Sequence, residues 1–197
     1  MFNLQGMMDW AAAMCNAPSV GYSQSYRNYQ TVNGITYFDC SSFVFFAMWL
    51  GGGFPVGDYG YSTDLSAYQS GQANAWTVTP LTNALREAGW QQVSTDPAYW
   101  QPGDILVKTR THCEICYSAP SPLMQMGAHG TGGGTTPLDD QVSIEPSYSG
   151  YYDQVWRDAA SPPPTPPDPG YRIHGPMQAW LLRRAIEISR GGEFNAV

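Results

Sequence analysis

Asp39-Cys40-Ser41-Ser42-Phe43-Val44 sets a cap-competent acid before a cysteine, and the cysteine before an apolar run. With Asp39 as N-cap, Cys40 falls in the first turn of a helix. Free backbone N–H groups and the positive end of the helix dipole favour a thiolate there, and a thiolate is a strong nucleophile at neutral pH. The same local pattern serves equally well for a small core residue at a helix start. A nucleophilic thiol needs a base, and the chain holds three histidines, His112, His129 and His174. His112 begins a strand-like run after Thr109-Arg110-Thr111, where a side chain can project from a sheet edge. His129 lies in Gly127-Ala128-His129-Gly130, whose small residues leave its ring accessible. His174 lies beyond a proline-rich stretch and reads as a surface residue. A lone histidine is more commonly solvated or structural. What lifts His112 and His129 is that both fall at strand ends, after a helix-start cysteine.

The elements that must position these residues follow from periodicity. Residues 3–15 carry Leu4, Met7, Met8, Ala11 and Cys15 at helical spacing. Residues 17–37, rich in Tyr, Ser, Gln and Asn, read as a loop. The apolar run 40–50, ended by Gly51-Gly52-Gly53, reads as a buried helix. Residues 81–88 read as another helix, with Pro80 at its first position. After the turn at Gly103-Asp104 the period changes: 105–107 and 112–117 read as paired strands, and 123–128 and 141–145 as shorter ones. Helices followed by strands predict an α+β domain with an antiparallel sheet over residues 1–160. Residues 161–170, Ser-Pro-Pro-Pro-Thr-Pro-Pro-Asp-Pro-Gly, form a stiff polyproline-type spacer. Residues 171–197 carry an amphipathic helical stretch from Met177 to Arg190, a tail that either packs back on the domain or contacts a partner.

Gly21-Tyr22-Ser23-Gln24, Asp39-Cys40-Ser41-Ser42-Phe43-Val44, Gln101-Pro102-Gly103-Asp104-Ile105-Leu106, His112-Cys113-Glu114-Ile115 and Gly127-Ala128-His129-Gly130 occur in that order. The series resembles phage peptidoglycan hydrolases of the NlpC-type and CHAP cysteine amidase/peptidase superfamily, over roughly residues 3–157. The resemblance implies a papain-like fold, with the nucleophile at a helix N-terminus packed on an antiparallel sheet. It implies Cys40 as nucleophile, His112 as general base and His129 as the third, orienting residue. Asp39 matches the residue before the nucleophile, and Tyr22 the loop tyrosine that lines the site near the oxyanion. Cys113 and Cys116 stand where the relatives usually carry Thr and Tyr. Glu114 shares strand parity with His112, but two residues along one strand it is expected alongside the ring, so His129 is the expected orienter. The implied activity is cleavage of an amide bond in bacterial peptidoglycan without a cofactor, by an N-acetylmuramoyl-L-alanine amidase or a stem-peptide or cross-bridge endopeptidase. The implied setting is synthesis in the bacterial host cytoplasm and action on the cell wall, free or with phage virion proteins held through the tail.

Composition narrows the other classes. The chain has 197 residues, 43% of them hydrophobic, and a net charge of −7, which excludes disorder throughout. Lys108 is the only lysine, so neither nucleic acid nor an anionic membrane is an expected partner. The start of the chain has no basic n-region of an export signal, and the longest apolar run is too short for membrane insertion. Three strand steps place the Cα atoms of Cys113 and Cys116 roughly 10 Å apart, beyond the reach of about 7 Å that a disulfide allows. A metal site built on His112, Cys113 and Cys116 is a weak alternative, because the pair points to opposite faces and lacks a second pair. The remaining alternative is a non-catalytic wall-binding or virion structural protein that stacks saccharides on its tryptophans and tyrosines. Such a module has no need for a cysteine followed by two strand-end histidines.

Overall fold

The computed structural model describes residues 2–130, 138–161 and 164. The spacer, apart from Ser161 and Pro164, and the 171–197 tail, with His174, lie outside the described residues. The fold is α+β with antiparallel sheet, as the order of periodicities predicts. Helix α1 spans Leu4–Asn16 and is capped by Asn3, whose side chain accepts from the Gly6 N–H. Helix α2, Cys40–Phe46, is buried at every position. It runs on into a π-helical turn, Ala47–Gly51. A short α3, Leu65–Gln69, and α4, Val78–Glu87, follow. Helix α4 starts earlier than its apolar spacing suggests, so Pro80 stands third in the helix rather than first. The missing proline N–H costs nothing there, since the first turn has no intrahelical acceptors to offer.

Two sheets hold the strands. Residues 17–37, expected as loop, form a small sheet instead. Strand β1 (Val20–Tyr22) runs parallel to β3 (Ile35–Phe38), and β2 (Asn28–Val32) runs antiparallel to β3. Asn33 and Gly34 join β2 to β3 with φ of 53° and 78°, the backbone of a two-residue hairpin turn. The larger sheet is antiparallel, in the order β4 (Gln91–Val93), β9 (Gln154–Arg157), β5 (Ile105–Lys108), β6 (His112–Ser118), β7 (Met124–Ala128) and β8 (Val142–Pro146). A single turn of helix, α5 (Leu138–Gln141), leads into β8.

Strand alternation sorts the larger sheet into two faces. Cys113, Ile115 and Tyr117 of β6, Met124 and Met126 of β7, and Val142 and Ile144 of β8 join the main core with the helices. That core is largely aromatic: Phe38, Phe43, Phe45, Phe46 and Trp76 are fully buried. The intervening residues face the other way. Cys116 and Leu106 pack there with Trp100, Tyr152 and Val155. Cys113 and Cys116 thus belong to different cores, and their thiols are free. Among the described residues no helix is long and apolar enough to cross a membrane.

Candidate active site

Cys40 is the first residue of α2, and Asp39 is its N-cap. The cap is reciprocal: the Ser42 N–H donates to Asp39 Oδ1 at 2.8 Å, and the Asp39 N–H donates to Ser42 Oγ at 2.9 Å. This capping box leaves the N–H groups of Cys40 and Ser41 unclaimed by the cap, beside the thiol at the positive end of the helix. Helix α2 packs against β6, and β6 opens with His112 and Cys113. The thiol of Cys40 is pulled down to about 5. The Cys113 thiol hydrogen-bonds to it, His112 adds a hydrogen bond and a positive charge, and together these outweigh burial and the nearby Asp39 charge. Burial pushes the Cys113 thiol far up, so Cys113 keeps its proton and donates.

His112 has its Nε2 2.7 Å from Glu114 Oε1, which leaves Nδ1 for the thiol. Burial works against the imidazolium, but hydrogen bonds to Cys40 and Glu114 and the charges of both raise His112 to about 10. The low thiol and the high imidazole together describe a thiolate–imidazolium pair.

Glu114 is fully buried. Its Oε1 lies 3.0 Å from His129 Nδ1 as well, and its Oε2 accepts from the Tyr152 hydroxyl at 3.3 Å. Burial alone would raise this carboxyl; its hydrogen bonds with His112 and His129 hold it at about 2 instead. The expected arrangement, with His129 against the His112 ring, is therefore corrected. The carboxylate of Glu114 lies between the two imidazoles, and His129 reaches His112 only through it. The Glu114 side chain needs room to do this, and Gly127 supplies it: a Cβ there would stand 2.8 Å from Glu114 Cγ. His129 Nε2 lies 2.8 Å from Ser143 Oγ and 3.3 Å from Glu145. Gln125 links Glu145 to Tyr152, donating to the first at 3.1 Å and accepting from the second at 2.8 Å.

The polar face of the sheet thus carries His112, Glu114, Gln125, His129, Ser143 and Glu145. A cavity of about 320 Å³ opens on it, lined also by Tyr22, Tyr148 and Tyr151. Tyr22 lines this cavity together with His112 and His129. Its ring fits against Gly130, where a Cβ would come within 2.5 Å of the ring. Glu114, His129 and Glu145 each bring one possible ligand atom within 4.8 Å of the others, a spacing a divalent cation can bridge. Both nitrogens of His129, however, are already engaged by Glu114, Ser143 and Glu145.

The structure brings together Cys40, Asp39, His112, His129 and Tyr22. Sequence reading missed Ser143, Glu145, Gln125, Tyr151 and Tyr152, and placed Glu114 beside the ring instead of behind it. The alternation of Val142 and Ile144 with Ser143 and Glu145 is a signal that could have assigned the last pair to the polar face. The chain matches no model of a known protein family and no curated protein.

Proposed function

We propose that the protein is a papain-like cysteine hydrolase that cuts an amide bond of bacterial peptidoglycan and acts as a phage lysin. One arrangement carries the chemistry: the Cys40 thiol at a capped helix start, with the His112 imidazole beside it and a buried carboxylate behind that imidazole. The ordered blocks around Tyr22, Cys40, Asp104, His112 and His129 resemble the NlpC-type and CHAP hydrolases, and this supports the substrate class.

In this reading the Cys40 thiolate attacks the amide carbonyl carbon, forming a C–S bond and pushing the carbonyl electrons onto oxygen. N–H groups at the start of α2, that of Cys40 among them, stabilise the oxyanion; one such donor is worth about 3 kcal/mol. His112 gives its proton to the leaving nitrogen as the C–N bond breaks. Water, deprotonated by His112, then attacks the thioester and returns Cys40 as thiolate. Glu114 holds the His112 ring and its charge throughout, as the third member does in other triads. Both an N-acetylmuramoyl-L-alanine amidase and a stem-peptide or cross-bridge endopeptidase use these steps.

The test is digestion of purified cell walls, with mass spectrometry of the products. New free amines on alanine indicate the amidase, and those on diamino acids or bridge residues indicate the endopeptidase. Cys40→Ala and His112→Ala are expected to abolish both wall lysis and product release while the far-ultraviolet spectrum stays that of the parent. Near-normal lysis by either variant would falsify the proposal.

A further inference from the structure

Arg27 stands in the segment between β1 and β2, and its guanidinium reaches the start of α2. Its Nε lies 2.6 Å from Asp39 Oδ2. Its Nη2 donates to Ser41 Oγ at 2.8 Å and to the backbone carbonyl of Trp76. Ser41 Oγ donates in turn to Asp39 Oδ1 at 3.2 Å. The pair is nearly closed to solvent, with side-chain exposures of 13% for Arg27 and 6% for Asp39, so salt screens it little. The acid paired here is the one that caps the helix of Cys40.

Capping and charge pull in opposite directions at this position. The carboxylate of Asp39 satisfies the helix start, but a negative charge next to a thiol opposes formation of the thiolate. We infer that Arg27 is a positioning residue for the nucleophile, pairing with Asp39 so that the cap of α2 is kept while the acid's charge at Cys40 is partly offset. The inference rests on Cys40 being the nucleophile. The other groups that face Cys40 are His112 and Cys113 from β6, with Tyr22 from β1 and Tyr151 ahead of β9 more distantly coupled to it. Tyr22 and Cys113 also sense the Asp39 charge, but among the described residues the cation paired with Asp39 is Arg27.

The experiment is the pH dependence of alkylation of the full chain by iodoacetamide, with Cys40 followed by peptide mapping. The thiolate displaces iodide and forms a C–S bond, so the rate tracks the ionised fraction whatever the natural substrate is. Arg27→Met is expected to move the midpoint up by about one pH unit, about a tenfold lower rate below the parent midpoint, with the same plateau at high pH. Arg27→Lys is expected to keep the parent midpoint. Asp39→Asn, which still caps, is expected to lower the midpoint, because the Arg27 charge then acts alone. In the double variant Arg27→Met/Asp39→Asn the upward shift is expected to vanish. An unmoved midpoint in Arg27→Met, an equal loss at every pH, or a shift that persists in the double variant overturns the inference. Should Arg27→Met fail to fold, Asp39→Asn decides alone, and a midpoint that stays or rises overturns it. A parent Cys40 that titrates as an ordinary thiol and reacts no faster than Cys15 overturns the nucleophile assignment itself, a result separate from the others.

Discussion

A carboxylate cut off from water remains an anion only where partners offset its lost hydration. Glu114 has such partners on both oxygens: two imidazoles on one and the Tyr152 hydroxyl on the other. Replacing it with Gln keeps the shape and removes the charge that holds His112 as imidazolium. Glu114→Gln is therefore expected to lower amide hydrolysis on the order of 10²–10⁴-fold, and to raise the midpoint of Cys40 alkylation. His129→Ala acts at one remove, through the carboxylate, and is expected to cost about tenfold. A larger loss from His129→Ala would return the orienting role to His129. The pH profile follows from the same groups. The proposed mechanism needs Cys40 ionised and His112 protonated, so activity is expected to rise with pH through about 5 and to fall through about 10. Stability carries its own signature. The Glu114 carboxyl is lower in the folded state than in the unfolded chain. Its contribution is therefore complete above its unfolded pKa, about 4.3, and is lost as pH falls toward about 2. Chemical denaturation between pH 6 and 3 should show this loss in the parent and much less of it in Glu114→Gln.

At the scale of the element, the site depends on which strand residues share a face. The register of β6 on β7, with Ile115 opposite Met126, sets Glu114 beside Gly127, and only a residue without a side chain leaves that space. Gly127→Ala is expected to push the Glu114 chain off its position. Tyr152 and the two histidines confine it from other directions, so the cost is about 1–3 kcal/mol of stability. The check is thermal unfolding together with alkylation of Cys40: a lower melting temperature and a raised thiol midpoint are expected, and an unchanged midpoint would show that Glu114 has slack. This contact also explains what was legible in the sequence. The start of α2 was readable because cap, cysteine and apolar run are local in the chain. So were the strands of 105–107 and 112–117, which carry their alternation openly. The role of Glu114 was not, because it depends on a glycine in the neighbouring strand and on a tyrosine ahead of β9. The sheet within 17–37 was missed for another reason. Its strands are short and only half-buried, with little apolar alternation, and the informative signal was Asn33-Gly34, the pair that favours a two-residue hairpin turn.

Across the whole molecule, the last described strand is not an addition to the sheet's edge. Strand β9 lies between β4 and β5, so the order of strands in space departs from their order in sequence, and periodicity alone cannot reveal it. Local signals gave no warning of β9 or of its neighbour β4. Arg157 at the end of β9 fixes this insertion. Its Nε and Nη2 donate to the two oxygens of Asp104, just before β5, at 2.8 and 2.7 Å. The Asp104 side chain is 1% exposed and also accepts from the Gln101 N–H. A two-pronged pair of this kind is costly to halve, because the remaining charge stays buried. Arg157→Met is expected to destabilise the fold by about 3–5 kcal/mol, a fall in melting temperature of roughly 2–4 °C per kcal/mol in a domain of this size. Asp104→Asn in the same chain removes the stranded charge and should restore a large part of that loss. Differential scanning calorimetry of the two variants decides between pairing and packing. Recovery in the double variant means that the loss came from an unpaired carboxylate. An equal or deeper loss would mean instead that the Arg157 stem was holding the strand through contact alone.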